Sequence, residues 1–172
     1  MFSRGQRLKK VTVITDGACL ENPGPGGWAA LLRFGQHEKM VSGCEADTTN
    51  NRMELMATIK GLETLKEACE VVLVADSRYV LDGFDKGWVR NWKANGWKTA
   101  GNKPVKNQDL WEELDRQVNR HKLRWVWVKG HDGHEDNERV DEEARKAATA
   151  LRDLQNKGFG RSSRRNQANE EG

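Results

Sequence analysis

Apolar and polar positions alternate along this chain with a period that changes several times, and each change marks an element. Residues 11–16, Val-Thr-Val-Ile-Thr-Asp, read as a strand finishing on an aspartate. Residues 21–27, Glu-Asn-Pro-Gly-Pro-Gly-Gly, are turn chemistry, and strands follow near residues 28–34 and 39–44. The gaps between them are short, which predicts antiparallel hairpins. From about Asn51 the period lengthens, and Leu55, Ile59, Leu62 and Leu65 form an apolar stripe at helical spacing. Residues 71–75 are a continuous apolar run, as for a strand covered on both faces, and Asp76 ends it. Helical stretches are predicted over about 77–92 and 109–119, the second carrying Leu110, Leu114 and Val118. Residues 125–128, Trp-Val-Trp-Val, read as the last strand, and Val140, Ala144, Ala147 and Leu151 stripe a final helix.

Hairpin strands first, then strands alternating with helices, predict an α/β domain with a mixed sheet of about five strands flanked by helices. There is no internal repeat. After about Leu151 the periodicity stops, and Lys157, Arg161, Arg164 and Arg165 sit among Gly, Ser and Asn. That composition predicts a disordered tail, residues 152–172, with at most an electrostatic part in binding. The remaining division is a basic extension, residues 1–8, and one domain, residues 9–151.

Composition alters this picture little. A chain of 172 residues suits one domain with a real core. Its longest aliphatic runs are about five residues, far short of a membrane span, and residues 1–10 lack the apolar stretch of a secretory signal. Three cysteines (Cys19, Cys44, Cys69), odd in number and without metal spacing, fit a reducing cytoplasm. The net charge of +3 decides little, but its distribution does more. Residues 86–106 hold Lys86, Arg90, Lys93, Lys98, Lys103 and Lys106 and no acid, interleaved with Trp88, Trp92 and Trp97. Cations suit phosphates and indole faces suit sugars or bases, so nucleic acid is the favoured partner. The competing reading is a solvated helix and loop with Trp88 and Trp92 buried at i, i+4 spacing.

Four acids stand out: Asp16 and Asp76 at strand ends, Glu54 and Asp141 near helix starts. Each has an ordinary alternative. Asp76 before Ser77 suits a helix cap, and Asn51 with Glu54 has capping-box spacing. Asp141 could be one more acid beside Glu142 and Glu143, and Asp16 before Gly17 could be a turn residue. If all four converge, their repulsion calls for hard cations.

The blocks around them, Thr15-Asp-Gly-Ala-Cys, Asn22-Pro-Gly-Pro-Gly-Gly-Trp, Thr49-Asn-Asn-Arg-Met-Glu-Leu, Ala75-Asp-Ser, Gly96-Trp-Lys-Thr and Val128-Lys-Gly-His with Asn137-Glu-Arg-Val-Asp, resemble the bacterial type 1 ribonuclease H family. The similarity runs in order over about residues 9–150. It implies a ribonuclease H-like fold, with three antiparallel strands followed by parallel ones. It also implies a monomer that hydrolyses the RNA strand of RNA–DNA hybrids, leaving 5′-phosphate and 3′-hydroxyl ends. The family's metal-binding carboxylates fall on Asp16, Glu54, Asp76 and Asp141, and its mobile-loop histidine on His131. Two Mg²⁺ ions roughly 4 Å apart serve such an in-line displacement, and Mn²⁺ should substitute. A zinc site at His131 and His134 is a weak alternative without a cysteine. His134 is expected to be structural, and His37 and His121 ordinary surface residues.

By resemblance, Cys19, Asn22, Asn50 and Asn51 contact the hybrid, where the 2′-hydroxyl distinguishes RNA from DNA. Thr49 helps seat a DNA phosphate. Trp88, Trp92, Lys93 and Trp97 belong to the basic protrusion on the DNA strand. The chain also departs from the family pattern. Lys93 is followed by Ala94-Asn95 rather than further basic residues, which predicts weaker, less salt-sensitive binding. Arg78 replaces a common glutamine, turning a base-edge contact into a phosphate contact. Glu21 replaces a common glycine. Asp132 and Glu135 add acid beside His131 and would raise its pKa. The rival classes are an inactive hybrid-binding protein and another nuclease of the same fold, such as a strand transferase or junction resolvase.

Overall fold

The computed structural model describes residues 7–130 and 134–170, with side chains as far as residue 158. Five strands, β1 (Lys9–Cys19), β2 (Gly24–Phe34), β3 (His37–Thr48), β4 (Cys69–Ala75) and β5 (Lys122–Trp127), form one sheet in the order β3-β2-β1-β4-β5. The first three pair antiparallel, and β4 and β5 join in parallel, as expected. The helices are α1 (Asn50–Glu63), α2 (Arg78–Asp85), α3 (Trp88–Ala94), α4 (Gln108–Asn119) and α5 (Glu135–Glu170).

The larger core lies where α1, α2 and α4 cover the sheet. Leu55, Ile59 and Leu62 of the α1 stripe meet Val13, Val71 and Leu73, and the fully buried Trp111 of α4 closes the layer. On the other face α5 packs Val140 and Ala144 onto Ile14, Ala29 and Leu31. α5 rides close to β2, because any Cβ at Gly27 would collide with the carbonyl oxygen of Ala144. Residues 71–75 are indeed covered on both faces, but unequally: Val71, Leu73 and Ala75 are fully buried, while Val72 and Val74 are only half-buried.

Several expectations are corrected. The helix expected over residues 77–92 is two helices, interrupted at Gly87, whose φ of +74° ends one and caps the next. α1 is capped by Thr49, whose Oγ1 accepts from the Arg52 N–H at 3.3 Å, and not by Asn51. His121 is buried: its Nδ1 accepts from the Cys69 N–H at 3.1 Å, tying the end of α4 to the start of β4. Beyond Leu151 the chain does not leave regular structure, since α5 continues to Glu170. No proline interrupts that stretch, and its arginines, lysine and glutamines are good helix formers. Over residues 152–158 it does so without burying an apolar side chain, for Leu154 is 67% exposed.

Candidate active site

Parallel pairing of β1 with β4 runs from Lys9 opposite Cys69 to Thr15 opposite Ala75. The next residue on each strand is an aspartate, so Asp16 and Asp76 emerge side by side at the carboxyl edge, about one strand spacing (~4.8 Å) apart. Asp16 does not end its strand, as the pattern suggested. β1 continues to Cys19 along β2 alone, with Asp16 opposite Ala29. Glu54 reaches the same point from the first turns of α1. A Cβ at Gly17 would lie 2.5 Å from the Glu54 backbone nitrogen, so only glycine lets the helix settle on the strand here. Carboxylate oxygens of Asp16, Glu54 and Asp76 lie within 4.8 Å of one another. They line a cavity of about 180 Å³ with Gly17, Lys129, Gly130, His134, Asn137, Glu138 and Asp141.

This convergence is electrostatically unfavourable. Burial, then the neighbouring Asp76 carboxylate, push Asp16 up to about 7, and a hydrogen bond with Asp141 acts in the same direction. Burial, then the charge of Asp16, hold Glu54 well above the ordinary carboxylate range. Glu54 Oε2 is buried and has no hydrogen-bond partner among the described residues. A buried carboxylate oxygen without a donor is costly. An orphaned oxygen facing two more carboxylates is the ligand chemistry that hard divalent cations seek. The residues present therefore fit a divalent metal.

Asp141, on the second turn of α5, reaches the cavity rim, where its Oδ1 lies 3.2 Å from Arg145 Nε. His131, Asp132 and the proposed shift of the histidine lie outside the described residues. Gly130, just before His131, sits against Asp76: a Cβ there would be 3.4 Å from its Oδ2.

The predicted contact residues fall into three groups. Cys19, Asn22, Thr49 and Asn50 are drawn together where β1, β2 and α1 meet. Cys19 Sγ donates to the Glu21 carbonyl at 2.6 Å, and Asn22 Oδ1 accepts from the Asn50 N–H at 3.2 Å. Asn51 is exposed beside them. Arg78 stands apart, bonded to Asp82 Oδ1 at 2.7 Å with its guanidinium 5.4 Å above the Trp127 ring. Trp88, Trp92 and Trp97 make a further group, in which Trp92 lies 6.1 Å from Trp88, 6.3 Å from Trp97 and edge-on to Trp111 at 5.4 Å. The packing reading of these rings is thus satisfied in part. Lys93 is paired with Asp115 at 2.9 Å.

Sequence reasoning passed over Lys129, Asn137 and Trp127. Trp127 is 44% exposed and donates its indole N–H to the Asp76 carbonyl at 3.2 Å. Strand order was the missing signal. Ala75 pairs with Trp127, so the residues after β5 emerge beside Asp76 just as Asp16 does.

The RNase H family model matches residues 8–149. A ribonuclease H of Novosphingobium aromaticivorans is 62% identical over 143 residues, 83% of this chain and 99% of that protein. A ribonuclease H of Thermus thermophilus is 61% identical over 140 residues, 81% of this chain and 84% of its own length. Among solved structures, LC9-RNase H1, a type 1 RNase H with the type 2 active-site motif, superposes with a TM-score of 0.77 at 34% identity, covering 85% of this chain and 75% of that one. A foamy viral protease-reverse transcriptase, solved in complex with RNA/DNA hybrid, shares the fold with a TM-score of 0.67 at 16% identity, covering 86% of this chain and 22% of its own.

Proposed function

The chain belongs to the RNase H family and is an enzyme of the ribonuclease H class; from that premise we propose that it cleaves the RNA strand of RNA–DNA hybrids at the Asp16–Glu54–Asp76–Asp141 site, leaving 5′-phosphate and 3′-hydroxyl ends. The observation that carries this reading is the set of three carboxylates within 4.8 Å, one oxygen of which is buried without a donor. Asp16, Glu54 and Asp76 would hold divalent cations, with Asp141 completing the set from the rim. Two bound Mg²⁺ ions, or Mn²⁺ in their place, supply an activated water and a stabilised leaving oxygen.

The chain's own residues do the rest. Asp16 sits on β1 and Asp76 directly after its parallel partner β4, with Glu54 on a helix fixed against Gly17, so the ligand oxygens are preorganised. Lys129 lines the cavity and brings a positive charge toward the scissile phosphate. His131 is assigned proton transfer or product release, supported by the contact of the preceding Gly130 with Asp76. Asn22 and Asn50, joined by a hydrogen bond, offer short polar groups to the 2′-hydroxyl beside Cys19 and Asn51. Thr49 already caps α1, so its part is to orient the helix start toward a phosphate. Trp88, Trp92, Lys93 and Trp97 with the neighbouring lysines take the DNA strand, and Arg78 takes a phosphate beside Trp127.

No helix among the described residues is long and apolar enough to cross a membrane. The reading is of a cytoplasmic monomer without an obligate protein partner, which sedimentation of the purified chain checks in part. The deciding assay incubates the protein and Mg²⁺ with end-labelled RNA–DNA hybrid, RNA duplex, DNA duplex and single-stranded RNA. Cleavage confined to the RNA of the hybrid is expected. Absence of cleavage on the hybrid would sink the proposal and favour an inactive hybrid-binding protein, while cutting of DNA would favour another nuclease of this fold.

A further inference from the structure

The first turn of α5 is polar throughout. Residues 134–139 include no buried side chain, and apolar anchoring begins only with Val140 and Ala144. Yet Asn137 and Glu138 of that turn line the acidic cavity, with Asp141 just beyond them. A helix start is a weak place to mount a site, because its leading N–H groups lack intrahelical partners and the turn frays. Here a ring of four charges ties it to the sheet. Arg33 of β2 stands opposite Glu38 of β3 in the antiparallel register, and its Nη2 lies 2.7 Å from Glu38 Oε1. The same guanidinium grips Asp136 with both terminal nitrogens, Nη1 to Oδ2 at 2.7 Å and Nη2 to Oδ1 at 2.9 Å. Arg139 closes the ring, 2.9 Å from Glu38 Oε2 and 3.4 Å from Asp136 Oδ1.

We propose that Arg33 is a positioning residue for the cavity: through Asp136, and with Glu38 and Arg139, it locks the first turn of α5 so that Asn137, Glu138 and Asp141 are presented in fixed geometry. This rests on the reading of that cavity as the place of phosphodiester cleavage. Isolated exposed pairs contribute little, but a fork that engages a carboxylate with two nitrogens, inside a network, fixes direction as well as charge. Each side chain of the ring serves two partners, so the entropy lost in ordering it is shared between contacts. Hydrogen bonds from Arg33 hold Asp136 below the usual carboxylate range, and those from Arg139 and then Arg33 do the same for Glu38. The ring is therefore charged at neutral pH. None of its four members lines the cavity, so it acts on the site only through the helix that it holds.

The test compares wild type with Arg33→Gln, Asp136→Ala, the Arg33→Gln/Asp136→Ala double variant and Lys39→Gln, which removes an exposed charge next to Glu38 but outside the ring. Two quantities are measured on the full chain: backbone amide order parameters by NMR relaxation in a chelator, and steady-state cleavage of RNA–DNA hybrid at saturating Mg²⁺. Arg33→Gln and Asp136→Ala should each lower the order parameters of residues 137–139 from about 0.85 to about 0.6, leaving those of residues 144–148 unchanged. Each should lower kcat about tenfold with KM within about twofold, since a small misplacement at the reacting centre is costly. Lys39→Gln should change neither quantity. Adding Arg33→Gln to Asp136→Ala should slow turnover by less than about twofold more, because both act through one contact. An unchanged kcat in the single variants, multiplied effects in the double variant, an equal loss in Lys39→Gln, or a rise in KM at constant kcat would each overturn the proposal. So would a fall in kcat with the order parameters of residues 137–139 unchanged. If wild type leaves the hybrid uncut, the reading of the cavity fails and takes the positioning role with it; cleavage by wild type alongside any of the other results fails the proposal alone. Circular-dichroism melts check that each variant folds. Should Arg33→Gln not fold, Asp136→Ala cuts the same contact from the helix side and decides the question.

Discussion

The acidic edge of the sheet and the tryptophan-rich segment after α2 both concentrate groups that resist ordinary packing, and they settle in opposite ways. At the sheet edge, like charges are brought together and buried, and one oxygen of Glu54 is left without a donor. In the other region, rings lean on rings, Lys93 finds Asp115, Lys86 finds Asp82, and Val89 and Val105 are buried beneath. Only Arg90, Lys98, Lys103 and Lys106 remain without an ion pair among the described residues, and all are exposed. The first region is a liability to the fold that a bound cation would relieve. The second contributes to the fold and presents surplus charge outward. Under the proposed function, reaction chemistry belongs with the former and grip with the latter.

The sharpest way to break this contrast is Asp16→Asn. It should lower turnover by about four orders of magnitude, roughly 5.5 kcal/mol of barrier, yet raise the melting temperature of the metal-free protein at pH 8 by removing a repelled charge. Turnover near the wild-type rate would remove Asp16 from the site. Next in size is Trp111→Ala on the other side. It opens a cavity beneath Tyr79, Phe84 and Trp92 and removes the indole bond to Tyr79, at a cost of about 3–5 kcal/mol in denaturant unfolding. A loss below about 1 kcal/mol would mean that the ring cluster does not support the fold.

A smaller effect is carried by pH. Asp16 titrates near 7 in the fold against an ordinary 3.8, so the native state holds a proton that the unfolded chain has lost over that window. Stability of the metal-free protein therefore falls as pH rises through 7, by about 1 kcal/mol between pH 6.5 and 8. Buried His121 acts in the opposite sense, but only below about its ordinary 6.5. Melts in a chelator should show this decline in wild type and a shallower one in Asp16→Asn, where burial still holds Glu54 above its ordinary range, and saturating Mg²⁺ should flatten it. A flat wild-type profile in chelator would contradict the stored repulsion. Smallest, and specific to grip, is the salt dependence of hybrid binding. Replacing Lys98 or Lys103 by glutamine should reduce the salt slope by about one unit each with kcat unchanged. Lys93→Gln should do less, since Asp115 already engages that charge.

Much of this contrast was legible in the order of residues. Two apolar runs each followed by an aspartate gave the parallel edge, and the stripe Leu55–Ile59–Leu62 placed Glu54 on a helix facing it. What escaped depended on long-range pairing. Nothing local distinguishes His121, in a run of Asn, Arg and Lys, from a surface histidine; its burial follows from docking against Cys69, fifty-two residues away. Lys129 entered the site because β5 lies next to β4, a neighbour relation that no window of sequence contains. The break at Gly87 was visible as a residue but not as a conformation, because a single glycine inside a helical pattern is usually tolerated.

The missing side chain at Gly27 has its own consequence for anyone altering this protein. The sheet meets α5 there through main-chain atoms, with the Ala144 carbonyl where a methyl would stand. The angle of the helix carrying Asp141 and Arg145 is thus set by backbone contact more than by the fit of large side chains. One added carbon at position 27, on a different element, would tip the whole rod and move both residues together.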